Sequence, residues 1–106
     1  MNDLVSDKLH RAAAEEESMS REIAIINKKG LHARATAKFV QCCEKFDAVI
    51  TVSRGEETVG GSSIMGILTL GAGQGSTITV TATGPQAKAA LDALEALVAN
   101  RFGEEE

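Results

Sequence analysis

Ser76-Thr77-Ile78-Thr79-Val80-Thr81-Ala82-Thr83 alternates without a break, with Ile78, Val80 and Ala82 on one side and threonines on the other, and Gly84-Pro85 follows directly. A period of two predicts a strand that buries one face and leaves the other to water. Proline presets a helical φ and lacks an N–H, so Pro85 suits the first position of a helix. From there Ala87, Ala90, Leu91, Leu94, Leu97, Val98 and Arg101 recur at about 3.6-residue spacing, which predicts an amphipathic helix. A half-wet strand followed by such a helix points to a sheet with helices on one side only.

Working back toward the N-terminus, Ser62 to Leu70 reads as a short helix with a serine able to cap it, weakened by Gly66 by roughly 1 kcal/mol against alanine. Ala48 to Ser53 and Glu57 to Val59 flank the glycine-bearing turn Arg54-Gly55-Glu56 and read as a hairpin. A helix is expected from Ala33 to Lys45, with Thr36, Phe39, Val40 and Cys43 facing inward and Lys38, Gln41 and Glu44 facing water. Arg21 to Asn27 alternates, with Ile23 and Ile25 on one face and Ala24 and Ile26 on the other, and predicts the first strand. The resulting order is β-α-β-β-α-β-α. It fits an α+β open-faced β-sandwich, a four-stranded antiparallel sheet with all helices on one face.

The 106 residues fit one domain, expected to span residues 21–103. Residues 1–20 form an N-terminal extension whose apolar set (Leu4, Val5, Leu9 and Ala12) is too small to anchor a helix by itself, so a frayed or weakly docked segment is expected. His10 has no chemical context there. Residues 104–106 read as a solvated acidic tail. A net charge of −4 and 3% aromatic residues argue against nucleic-acid binding. No apolar run approaches the ~20 residues of a membrane span, and the polar first twenty residues do not resemble a signal peptide, so a cytoplasmic protein is expected. Cys42 and Cys43 are adjacent, which suggests neither a disulfide framework nor metal-ligand spacing. No metal or cofactor is implied.

The chemistry concentrates in Gly30-Leu31-His32-Ala33-Arg34-Ala35-Thr36-Ala37-Lys38-Phe39. A glycine turn delivers His32 to a helix start, where backbone N–H groups lack partners and the macrodipole is positive. That end attracts anions and disfavours an imidazolium, leaving a neutral ring with a nucleophilic lone pair. A phosphoryl group on that ring would meet the helix N–H groups and the Arg34 guanidinium, whose planar fork suits phosphate oxygens.

This string, taken with Ser63-Ile64-Met65-Gly66 and the order of elements, resembles the HPr family, the histidine-containing phosphocarriers of the bacterial phosphotransferase system. The resemblance spans about residues 20 to 103. It implies that His32 accepts a phosphoryl group from Enzyme I and passes it to an Enzyme IIA-type protein, with Arg34 assisting. The protein would then be a carrier within a relay rather than a stand-alone enzyme. By the same resemblance Ser63 matches a regulatory serine, the target of an HPr serine kinase/phosphorylase in some lineages, and Ile64, Met65 and Leu68 match an exposed docking patch. At least one of those three is nevertheless expected in the core. Three positions depart from the family: Thr36 stands where most relatives have proline, and Gln41 and Glu44 stand where lysines are frequent. Thr-Gly-Pro-Gln and the later Arg-Phe-Gly with its acidic end resemble the nitrogen-type branch, typified by NPr, more than the sugar-type branch.

Two other functions are open to the same residues. One is a regulatory binding module whose partners sense phosphorylation of Ser63, although a serine in that position is by itself simply an N-cap. The other is a small hydrolase with His32 as general base. The motif supplies no carboxylate to orient the imidazole and no adjacent nucleophile, which disfavours it.

Overall fold

The computed structural model describes residues 18–106. His10 and most of the expected extension lie outside the described residues. The elements are β1 (Ser18–Ala24), α1 (Ala33–Cys43), β2 (Val49–Arg54), β3 (Glu57–Gly60), α2 (Ile64–Thr69), β4 (Thr77–Thr83) and α3 (Ala87–Ala99), followed by a 3-10 turn at Arg101–Gly103. One four-stranded sheet has the order β1-β4-β2-β3, and every neighbouring pair is antiparallel. This is the α+β open-faced architecture expected from the alternation of Ser76–Thr83.

Register explains the layering. Ile23 lies opposite Ile78, Val52 opposite Val80 and Ile50 opposite Ala82, so the apolar face of each strand adds to one surface. That surface is covered by Phe39 of α1, Ile67 of α2, and Leu91 and Leu94 of α3, all with no exposure. A side chain as large and enclosed as Phe39 would cost about 3–5 kcal/mol if cut to alanine. On the wet face, hydroxyls pair across strands, Ser20 with Thr81 and Ser53 with Thr58, each at 2.8 Å. The remaining Arg21 points to the helix side, where it holds Asp92 at 2.6 Å and Glu95 at 2.9 Å on α3.

Several boundaries differ from the sequence expectation. β1 begins at Ser18 because Ser18, Met19 and Ser20 pair with Thr83, Ala82 and Thr81, and it ends at Ala24 rather than Asn27. Ile25 still exchanges bonds of 2.8 Å with Ser76 and Gly75, beyond the regular ladder. α1 stops at Cys43, where i→i−3 bonds from Lys45 and Phe46 tighten the chain. Pro85 is not the first helical residue. Gly84 has φ +133 and Gln86 precedes α3, with its backbone N–H bonded to the Asp47 carbonyl at 3.0 Å, so Pro85 lies in the turn before the helix. Arg101 does not extend the apolar stripe either. α3 ends at Ala99, Arg101 turns outward, and Phe102 is the buried residue. Among the described residues, no helix is long and apolar enough to cross a membrane.

Candidate functional site

The loop between β1 and α1 is built on Asn27 and Gly30. Asn27 is fully buried; its carbonyl accepts the Gly30 N–H at 3.1 Å while its Nδ2 donates to the Gly30 carbonyl at 2.9 Å. Gly30 has φ +65, and a Cβ there would stand 2.6 Å from the Ala72 carbonyl oxygen and 2.7 Å from the Gly73 Cα. Only glycine supplies both that backbone conformation and that clearance. The close approach lets Leu31 donate to the Ala72 carbonyl at 2.9 Å, fixing the residue before His32 to the segment after α2.

His32 is the N-cap residue of α1, in extended conformation, and its side chain makes no capping bond. Its carbonyl receives the first intrahelical bond, from the Thr36 N–H at 2.8 Å. Thr36 is fully buried and its hydroxyl donates to the Leu31 carbonyl at 3.1 Å. Both bonds brace the first turn without a proline, since a proline at this position would lack the N–H and the hydroxyl alike. Arg34, on the first turn of α1, is exposed and forms no ion pair among the described residues, so it is open to an incoming anion.

The largest departure from the sequence reading is at the C-terminus. Arg101 and Phe102 both have φ 55 and Gly103 has φ +78, which turns the chain back toward α1. Left-handed backbone costs an ordinary residue about 1–2 kcal/mol, so the surroundings must hold it. They do so through the Phe102 ring, 1% exposed, and through Lys38, which is half-buried rather than solvated and donates to the Phe102 carbonyl at 2.6 Å. The result places Glu104 on His32, so the carboxylate that the motif around the histidine lacks is supplied from the far end of the chain. Glu104 Oε2 lies 2.5 Å from His32 Nε2, and Oε1 accepts from Asn27 Nδ2 at 2.9 Å. These hydrogen bonds, from His32 first and Asn27 second, hold the Glu104 carboxyl below the usual carboxylate range. Asn27 Oδ1 is buried without a partner, and reversing the amide would set that oxygen against two acceptors, so the orientation follows from its two donor bonds. The Lys28 N–H donates to the Glu106 carbonyl at 2.5 Å and closes the return. Residues 104–106 are therefore not simply a solvated tail.

Ser63 caps α2, its exposed hydroxyl accepting the Gly66 N–H at 3.0 Å. A Cβ on Gly66 would lie 2.7 Å from Ser63 Oγ and 3.0 Å from Val59 Cβ, so the glycine that weakens this helix is also what lets it sit against β3. Met65 is 71% exposed, Ile64 42% and Leu68 half-buried. None of the three is the core residue expected among them; Ile67 takes that place with no exposure. Because α2 packs against α1, its exposed side chains and His32 belong to neighbouring elements. Cys43 is buried, which pushes its thiol up to about 12, and Cys42 is shifted upward for the same reason. Neither has the lowered pKa of a reactive thiol. Among the described residues, no cluster of histidine, cysteine and carboxylates could hold a metal.

A family model described as "PTS HPr component phosphorylation site" matches residues 19–100. The chain is 50% identical to the phosphocarrier protein HPr of Cupriavidus necator over 88 residues, 83% of this chain and 99% of the relative. It is 45% identical to the phosphocarrier protein NPr of Shewanella violacea, over 81% of this chain and 94% of the relative. Among solved structures, HPr-C-His from Thermoanaerobacter tengcongensis aligns with a TM-score of 0.80 at 42% identity, covering 83% of this chain and 99% of that one.

Proposed function

The chain belongs to the HPr family of phosphotransferase-system phosphocarriers, and on that premise we propose that His32 accepts a phosphoryl group from Enzyme I and delivers it to an Enzyme IIA-type protein in the cytoplasm. The observation that carries this reading is the placement of His32: a part-exposed imidazole at the N-cap of α1 whose side chain is not used for capping. A phosphoryl group on it is presented to the unpaired N–H groups of the first turn, with Arg34 exposed on that turn as counter-charge. The chain supplies little covalent chemistry of its own. A carrier works by holding the accepting nitrogen in line with a group that the partner brings, and positioning supplies much of the rate.

Docking is assigned to Ile64, Met65 and Leu68, since two exposed apolar side chains and one half-buried one stand on the helix packed beside α1. Ser63 borders that patch with an exposed hydroxyl, which favours a second role as a regulatory site for an HPr serine kinase/phosphorylase. A phosphate there would bring a charge of about −1.5 to −2 beside the apolar surface and penalise docking by desolvation.

The test is incubation with Enzyme I and labelled phosphoenolpyruvate, using sugar-type and nitrogen-type Enzyme I in parallel. Acid-labile label is expected on the wild type and none on His32→Ala. Equal labelling of the two proteins would overturn the assignment.

A further inference from the structure

We infer that Glu104 is a positioning residue for phosphotransfer, holding His32 in the tautomer whose Nδ1 lone pair attacks phosphorus and balancing the charge that the ring acquires; this rests on His32 being the phosphoryl acceptor. An ionised carboxylate only accepts hydrogen bonds, so the 2.5 Å contact assigns the proton to His32 Nε2. Nδ1 is then the nitrogen with the lone pair. When Nδ1 forms its bond to phosphorus, the bond from phosphorus to the donor protein's atom breaks and its electron pair stays with the donor. The proton remains on Nε2, and the ring becomes cationic. Glu104 faces that cation from the side opposite the arriving phosphoryl group, so the two anions are separated by the ring.

The carboxylate is not a drifting tail group. Asn27 Nδ2 holds its other oxygen at 2.9 Å from a fully buried position, and the left-handed backbone of Arg101 and Phe102 aims it. Asn27, Glu104 and His32 thus form a chain in which each member orients the next, the logic by which a carboxylate fixes an imidazole tautomer and stabilises imidazolium in hydrolases. Here the nucleophile is the imidazole itself.

The experiment compares single-turnover transfer from phosphorylated Enzyme I to wild type, Glu104→Ala and Glu104→Gln, alongside ring 15N spectra of His32 in the unphosphorylated proteins. Side chains of His32 and Glu104 are 26% and 19% exposed, so the expected loss in Glu104→Ala is about tenfold in maximal rate, well below the ~10⁴-fold effect of a fully buried pair. The KM for the carrier should change less than about twofold, because docking is assigned elsewhere. In the spectra, Glu104→Ala should mix the two tautomers, whereas Glu104→Gln, which keeps an acceptor, should retain the Nε2–H form and recover part of the rate. A wild-type rate in Glu104→Ala, a loss confined to KM, or unchanged ring spectra would each overturn the proposal. His32→Ala separates the two ideas. Label on that variant sinks the carrier site itself, whereas label lost there together with wild-type transfer by Glu104→Ala sinks only the positioning role.

Discussion

Replacing Gly30 with alanine should destabilise the domain well beyond a glycine substitution of the same backbone class, and Gly55 provides the comparison. Both glycines are left-handed, with φ +65 and +62, so each Gly→Ala change carries a conformational penalty of about 1–2 kcal/mol. Both also gain the same loss of unfolded-state freedom, which cancels in the difference. The surroundings separate them. A Cβ on Gly55 meets nothing within 4 Å, whereas one on Gly30 would lie 2.6 Å from the Ala72 oxygen and 2.7 Å from the Gly73 Cα, and both are backbone atoms. Relieving that overlap pushes the two loops apart and breaks the 2.9 Å bond from Leu31 to Ala72, a loss of about 0.5–1.5 kcal/mol before any repacking. Gly30→Ala is therefore expected to be less stable than Gly55→Ala by roughly 1–2 kcal/mol, or about 5–15 °C in Tm for a domain of this size. Paired urea and thermal melts measure the difference. Since Leu31 precedes His32, Gly30→Ala should also slow phosphoryl uptake, while Gly55→Ala should not. Equal melting of the two variants would refute the claim that close loop contact, rather than backbone angle alone, positions the histidine.

Thr36→Val keeps the side-chain volume but removes the donor to the Leu31 carbonyl, and should cost about 1 kcal/mol in chemical denaturation. The hydrogen bonds from His32 and Asn27 depress the folded pKa of Glu104 below the usual carboxylate range, so its clasp stabilises the protein above that range and is lost as pH falls through the lower folded value. The stability advantage of wild type over Glu104→Gln in acid titrations should accordingly be present near neutrality and vanish in strong acid. Ser63→Asp retains a good cap for α2 and should leave Tm nearly unchanged while slowing transfer from Enzyme I. Met65→Ala, at a position 71% exposed, should likewise change stability by less than about 0.5 kcal/mol but weaken partner binding in calorimetry.

Most of the fold was legible because it rests on periodicity. The alternation of Ile78, Val80 and Ala82 and the stripes of α1 and α3 each determine a buried face, and the structure buries those residues except Leu97, which is half-buried, and Arg101, which is exposed. The site's first half was legible for a related reason: Gly30, His32 and Ser63 mark local backbone events, a turn and two N-caps. What escaped were contacts between residues far apart in the chain. Glu104 reads as one more acid in a charged run, and its approach to His32 depends on two left-handed residues that no pattern announces. The one available signal was Phe102, a lone apolar side chain between Arg101 and the acids, which needed somewhere to be buried. Lys38 was misread through the same omission, because the carbonyl it binds belongs to Phe102. Pro85 was misplaced by two positions, since the turn around it is fixed by Asp47 and Gln86, 39 residues apart.

The proposed relay requires that one imidazole both receive and release the phosphoryl group. Loading the protein with Enzyme I and phosphoenolpyruvate, mapping the modified atom by 15N and 31P spectroscopy, and then adding an Enzyme IIA-type acceptor measures it directly. One phosphoryl group per chain is expected, on Nδ1 of His32, leaving upon mixing with the acceptor. Label on any other residue, or label on His32 that the acceptor cannot remove, would contradict it.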